Sequence, residues 1–214
     1  MPVYPVEDMP PYKLFLLESD REEDLHLGLT EGAALSEALK LAQVPNRRFT
    51  VTDKNEFLEC LACIQRELVQ SLRTMALTGD PAFICWLHFS CHGNEDGLSL
   101  SGGDFLSWAE LRTALLGFFF HPEHGSSPMV LISLSACRGV AAGKIMFADP
   151  PPYGCSVLVG PNRDVAWPDA LTAFVSFYHL TIVKRLTADE AVAGMNNAAG
   201  LEGVFRCEHA VKRL

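Results

Sequence analysis

Short apolar runs and longer amphipathic stretches alternate along this chain. Lys13-Leu14-Phe15-Leu16-Leu17 is closed by Glu18-Ser19-Asp20, and its length suits a buried strand better than a helix. From Glu31 to Ala42, residues Ala34, Leu35, Ala38, Leu39 and Leu41 fall at helical spacing. Asn46 to Asp53 alternates Phe49 and Val51 with Thr50 and Thr52, which predicts a second strand. Phe57, Leu58, Leu61, Ile64, Leu68 and Leu72 then recur one helical turn apart, so a helix is predicted from about Lys54 to Ala76. Ala82 to Ser90 is a third predicted strand, leading straight into His92-Gly93.

Beyond it, Gly97 to Gly103 has the pattern of a short hairpin. Ser107 with Glu110 forms a capping box ahead of Leu111, Leu115 and Leu116, which starts another helix. Residues 121–128 read as a loop, Met129 to Leu134 as a fourth strand, and Cys155 to Gly160 as a fifth. Asp169 to Arg185 and Ala188 to Ala198 are helical in pattern, and Gly203 to Ala210 is a strand for the sheet edge. Strands alternating with helices of this length predict βαβ units, hence an α/β fold with helices on both faces of a mostly parallel, six-stranded sheet. Residues 1–12 carry four prolines and form an extended lead-in, leaving 13–214 as a single domain.

Composition narrows the function classes. The formal net charge is −9, and the 17 Lys and Arg residues form no basic stripe, which excludes nucleic acid as a direct partner. No apolar stretch approaches the ~20 residues of a membrane span. Seven cysteines is an odd number, and several lie inside apolar patterns. With no basic and apolar leader at the N-terminus, a reduced, cytoplasmic protein is expected.

The chemistry-bearing stretches are Phe89-Ser90-Cys91-His92-Gly93 and Leu134-Ser135-Ala136-Cys137-Arg138-Gly139, each at the end of an apolar run. Parallel strands present their C-terminal ends on one rim of the sheet, where α/β proteins build their sites. If the third and fourth strands are neighbours ~4.8 Å apart, His92 and Cys137 can approach each other despite their separation in sequence. An imidazole beside a thiol takes its proton or pairs with the thiolate, and can later protonate a leaving amine. Gly93 and the Cys137 amide are the candidate oxyanion-hole donors, because glycine lets backbone N–H groups come close. This arrangement needs no cofactor and no metal.

Ala136-Cys137-Arg138-Gly139, preceded by His92-Gly93 at the end of an earlier strand, resembles the nucleophile signature of caspases. The small-residue approach Leu131-Ile132-Ser133-Leu134-Ser135-Ala136, the Ala170 to Tyr178 helix and Asp189-Glu190-Ala191 resemble the CHAT branch of the caspase-like clan more closely. The chain departs from caspases at Ser135, where they carry Gln, and from many CHAT proteins at Arg138, where an acid or Gln is usual. The resemblance implies a caspase-like three-layer sandwich and a cysteine endopeptidase with His92 as base and Cys137 as nucleophile. It further implies a protein substrate, a regulatory or sensor protein as partner, and a setting in bacterial antiviral defence or cell death.

Other residues invite competing readings. Strand alternation turns Cys91 away from His92, toward Cys85, Leu87 and Phe89. A zinc site on Cys85, His88, Cys91 and His92 fails for the same reason: the histidines share one face ~13 Å apart and the cysteines share the other. Cys60 and Cys63 fall in mid-helix, where core packing is the simpler role. Glu95, Asp96 and Asp104 read as a solvated rim. Asp164 and Asp169, with Trp167 as a wall, are candidates for the pocket of the residue before the scissile bond; acids there favour Lys or Arg, whereas Arg163 would favour an acid. The segment from Arg138 to Gly154 reads either as a loop ordered by an activator or as an ordinary surface loop. A different class of function is a non-catalytic caspase-like interaction module that docks a partner, or a second copy as a homodimer, by adding a strand at Gly203 to Ala210.

Overall fold

A computed structural model describes residues 11–28, 30–80, 83–118, 130–149 and 153–210. Most of the proline-rich lead-in and the 121–128 loop lie outside them. The central strands are β1 (Tyr12–Ser19), β2 (Asn46–Thr50), β3 (Ile84–Gly93), β6 (Val130–Ser135), β7 (Val157–Pro161) and β8 (Phe205–His209). Their order across the sheet is β2-β1-β3-β6-β7-β8, with every pair parallel except β7 with β8. A hairpin of β4 (Gly97–Ser99) and β5 (Phe105–Ser107) pairs antiparallel with the end of β3. The six-stranded, mostly parallel sheet expected from the pattern is therefore present.

The helices are α1 (Glu22–His26), α2 (Glu31–Leu41), α3 (Lys54–Thr78), α4 (Trp108–Leu116), α5 (Gly143–Met146), α6 (Trp167–Tyr178) and α7 (Ala188–Ala198). Alternation along the strands divides the apolar side chains into two cores. Phe15, Leu17, Cys85, Leu87, Phe89, Ile132 and Leu134 face α3 and α4. Leu14, Leu16, Trp86, Leu131, Val157 and Val159 face α2, α6 and α7. Each set is removed from water at ~25 cal/mol per Å² of apolar surface, so slipping any strand by one residue would exchange its buried faces. Among the described residues, no helix is long and apolar enough to cross a membrane.

Four local features differ from the pattern. β3 runs on past Ser90 through His92-Gly93, because the β4–β5 hairpin supplies partners at Ser99 and Leu98. The predicted helix from Asp169 begins at Trp167, with Pro168 in its first turn, and widens into a π-helical segment at His179–Val183. After the Cys137 turn the chain forms a 3-10 turn, Gly139–Ala142, and α5, with Ala142 and Met146 buried; a stretch read as loop is thus folded onto the core through residue 146. The short α1 carried no apolar period and was not expected.

Candidate functional site

The rim formed by the C-terminal ends of β1, β3 and β6 carries the candidate residues His92 and Cys137. β3 and β6 are hydrogen-bonded neighbours in the register His88 to Ser133, Phe89 to Leu134 and Ser90 to Ser135. Counting on by two residues sets His92 and Cys137 on adjoining positions just beyond the ladder. A Cβ added at Gly93 would lie 3.0 Å from Ala136 Cβ, 3.2 Å from the Gly97 carbonyl and 3.4 Å from the Cys137 carbonyl. Glycine is therefore what lets the end of β3 and the Cys137 turn close on each other.

His92 is held by a residue that the sequence reading missed. Its Nε2 lies 2.7 Å from Asp24 Oδ2, with the two side chains 28% and 13% exposed. Asp24 belongs to α1, which directly follows β1, and β1 is the other neighbour of β3. Burial alone would raise the Asp24 carboxyl, but hydrogen bonding and the charge of His92, helped by the Arg21 backbone and Trp167, hold it below the usual carboxylate range. Trp167 packs edge-on against the His92 ring at 5.4 Å between centroids. With Nε2–H donated to the carboxylate, Nδ1 is left as the acceptor nitrogen. The signal available in sequence was the acidic run Glu22-Glu23-Asp24 just after a strand end.

Cys137 is half-buried, and its Sγ lies 3.9 Å from the Val165 carbonyl. Among the described residues, no backbone carbonyl accepts from the Cys137 amide. The turn it occupies is tight: Arg138 is left-handed at φ 58°, and a Cβ on Gly139 would meet Leu134 Cβ at 2.7 Å. Left-handed backbone at a non-glycine residue costs roughly 1–2 kcal/mol. Contacts on both sides hold Arg138 there, to Glu95 Oε1 at 2.6 Å and to Asp164 Oδ1 at 3.1 Å. Gly93, Asn94, Glu95, Asp96, Cys137, Arg138 and Asp164 line an open cleft of about 410 Å³. Glu95 and Asp164 thus share one guanidinium across the cleft, although both remain largely exposed. Asp169 sits in the first turn of α6 and does not line that cleft.

The remaining thiols are placed differently. Cys91 is buried with Cys85, Leu87 and Phe89 in the α3-side core, and desolvation raises the thiols of Cys85, Cys91 and Cys155. His88 faces the opposite core, with Nδ1 3.0 Å from the Tyr178 hydroxyl and Nε2 3.4 Å from Glu31 Oε2. The four residues of the discarded zinc reading therefore point into two cores and toward the rim.

Directly beneath His92 and Cys137 lies a polar row, Glu18, Ser90 and Ser135, in register across β1, β3 and β6. All three are buried, as are Asp20 and Glu31 beside them. Arg48 Nη1 bonds Glu18 Oε2 at 2.6 Å. Asp20 Oδ1, Glu31 Oε1, Ser90 Oγ and Ser135 Oγ have no hydrogen-bond partner among the described residues. Burial, then the neighbouring Glu18, push the Asp20 carboxyl up to about 7. A buried polar atom without a partner costs about 1–3 kcal/mol, so four together mark an unusual concentration of unused acceptors.

The sequence matches no protein-family model and no curated protein. Among solved structures, the fold is similar to that of the Arg-specific cysteine proteinase gingipain R, at 9% identity and a TM-score of 0.51. The likeness covers 87% of this chain and 41% of that one, so this chain spans less than half the length of the proteinase it resembles. At this identity the likeness establishes the fold: a caspase-like α/β sandwich.

Proposed function

We propose that the chain is a cysteine endopeptidase acting through His92 and Cys137. The observation that carries this reading is the meeting of the end of β3 with the Cys137 turn at one rim, with an acid already bound to the imidazole. His92 Nδ1 takes the Cys137 thiol proton, and the thiolate adds to the scissile carbonyl. The same imidazole returns the proton to the leaving amine as the acyl-enzyme forms, and then activates water to hydrolyse it. The amides of Gly93 and Cys137 stabilise the oxyanion. Asp24 positions the ring through its hydrogen bond to Nε2. The likeness of the motifs around Cys137 to the CHAT branch favours a cytoplasmic enzyme with a single protein substrate, working with a sensor protein in a defence or cell-death system.

The residue before the scissile bond is basic in this proposal. The unused oxygens of Asp20, Glu31, Ser90 and Ser135 supply acceptors for a guanidinium, which carries five donors and no acceptor. The structurally similar proteinase is Arg-specific, which agrees with this. Asp164 then belongs to the outer edge of the substrate groove, Trp167 backs the His92 ring, and Asp169 stands outside the cleft.

A peptide library carrying all residues before the scissile bond, read with wild type and Cys137→Ala, tests the proposal. Cleavage after Arg or Lys by wild type and background turnover by the variant are expected, together with loss of labelling by a thiol-reactive peptide. Equal cleavage by the folded variant would overturn it. Absence of both cleavage and labelling in wild type would instead favour the interaction module docking through β8.

A further inference from the structure

Asp189, Cys207 and His209 lie far along the sheet from the rim just described, and the proposed reaction uses none of them. Cys207 and His209 are two residues apart on β8, so they share one face of that edge strand. Asp189 is in the first turn of α7, which packs beside β8. One ligand atom from each, Sγ, Nε2 and a carboxylate oxygen, falls within 4.8 Å of the other two.

The contacts converge on a single atom. His209 Nε2 is 3.3 Å from Cys207 Sγ and 3.0 Å from Asp189 Oδ2. One ring nitrogen has one in-plane orbital. It either carries a proton, which Asp189 can accept, or offers a lone pair, to which the thiol can donate. Ordinary hydrogen bonding serves one of these contacts well and leaves the other poor. A cation at the centre of the three atoms serves all of them.

From metal–ligand distances of about 2.0 Å to nitrogen and oxygen and 2.3 Å to sulfur, tetrahedral zinc separates its N and O ligands by about 3.3 Å and its N and S ligands by about 3.5 Å. The distances observed between these atoms differ by only a few tenths of an ångström. Mixed thiolate, imidazole and carboxylate donors suit zinc rather than magnesium or calcium, which prefer oxygen.

We propose that Asp189, Cys207 and His209 form a zinc site that ties the first turn of α7 to the edge strand β8. The fourth position faces solvent and takes water or an outside donor, since His209 and Asp189 are 42% and 69% exposed. Binding displaces the Cys207 proton to solvent, because the thiolate is the ligand. Burial, with Asp189 and Glu208 adding to it, otherwise keeps that thiol protonated, at about 12.

Zinc titration by calorimetry, and cobalt titration by absorption, test the site in the full chain carrying Cys137→Ala, which removes the rim thiol. One equivalent of zinc should bind, and cobalt should give a thiolate charge-transfer band. Adding Cys207→Ser should abolish the band, and either Cys207→Ser or His209→Ala should weaken zinc binding at least about tenfold, the least that loss of even an outer-sphere partner costs. In protein with all its cysteines, zinc should slow alkylation of Cys207 by a similar factor, a readout that needs no substitution. Binding that survives both substitutions, binding lost only on His92→Ala, or alkylation of Cys207 unaffected by zinc would each overturn the proposal.

Discussion

β3 carries two histidines on the same face, and each is matched with an acid and an aromatic ring. His88 has Glu31, Phe174 edge-on at 4.8 Å and the Tyr178 hydroxyl. His92 has Asp24 and Trp167. The difference is four residues along the strand: His88 is fully buried between the sheet and α6, whereas His92 stands at the rim, 28% exposed and beside the Cys137 turn. An acid partner is thus common to both histidines. Under the proposed mechanism, position relative to a thiol and to an open cleft is what separates the reacting imidazole from the structural one.

Substituting each histidine breaks this comparison most sharply. His92→Ala should reduce peptide cleavage to background while costing no more than about 1.5–3 kcal/mol of stability, the worth of the one charge-assisted bond it breaks. His88→Ala should do the reverse. It leaves Glu31 buried without its partner, at a cost of about 3–5 kcal/mol in denaturant unfolding, with turnover per folded molecule largely kept. If both variants lose activity and stability alike, the distinction fails.

Asp24→Asn should act next most strongly. A charge-assisted hydrogen bond contributes about 1.5–3 kcal/mol, which converts to roughly a 10- to 100-fold fall in kcat, with KM for the peptide little changed. A rise in KM at constant kcat would place Asp24 in substrate binding instead of at the imidazole.

Asp20 gives a pH signature. Its pKa is raised in the folded protein, so the proton is bound more tightly there than in the unfolded chain. Its contribution to stability is whole below the ordinary carboxylate range and declines as pH rises through about 7. The unfolding midpoint of wild type should fall across that window more than that of Asp20→Asn. The same variant should lose selectivity for Arg over uncharged residues before the scissile bond, most visibly above pH 7. Identical pH profiles for the two proteins would remove Asp20 from the pocket. The smallest effect belongs to Cys91→Ala, which should leave cleavage within about twofold, because the side chain is sealed in the α3-side core; parallel kinetics of Cys91→Ala and Cys137→Ala would show this.

The element order was legible because apolar periodicity is local: alternation along β1 and β3, and helical spacing along α3, need no knowledge of partners. His92 and Cys137 were legible as candidates because both follow apolar runs and both are followed closely by glycine. Asp24 was not, since α1 is five residues long with no apolar stripe and its role depends on β1 lying next to β3. The Glu18, Ser90 and Ser135 row was hidden for a related reason. Its members are spread over more than a hundred residues of sequence and meet only through strand register.

By itself, the sequence determined the α/β class, the six strands of the main sheet, the position of the candidate His92 and Cys137 at two strand ends and the separation of Cys91 from His92, all of which follow from the period of side chains along one element. Tertiary structure alone decided which acid holds which histidine, that Arg138 spans from Glu95 to Asp164, that unpartnered acceptors gather beneath the thiol, and that Asp189 meets Cys207 and His209. Those outcomes depend on strand order and helix docking, which bring distant residues within hydrogen-bond reach and leave no periodic trace in the chain.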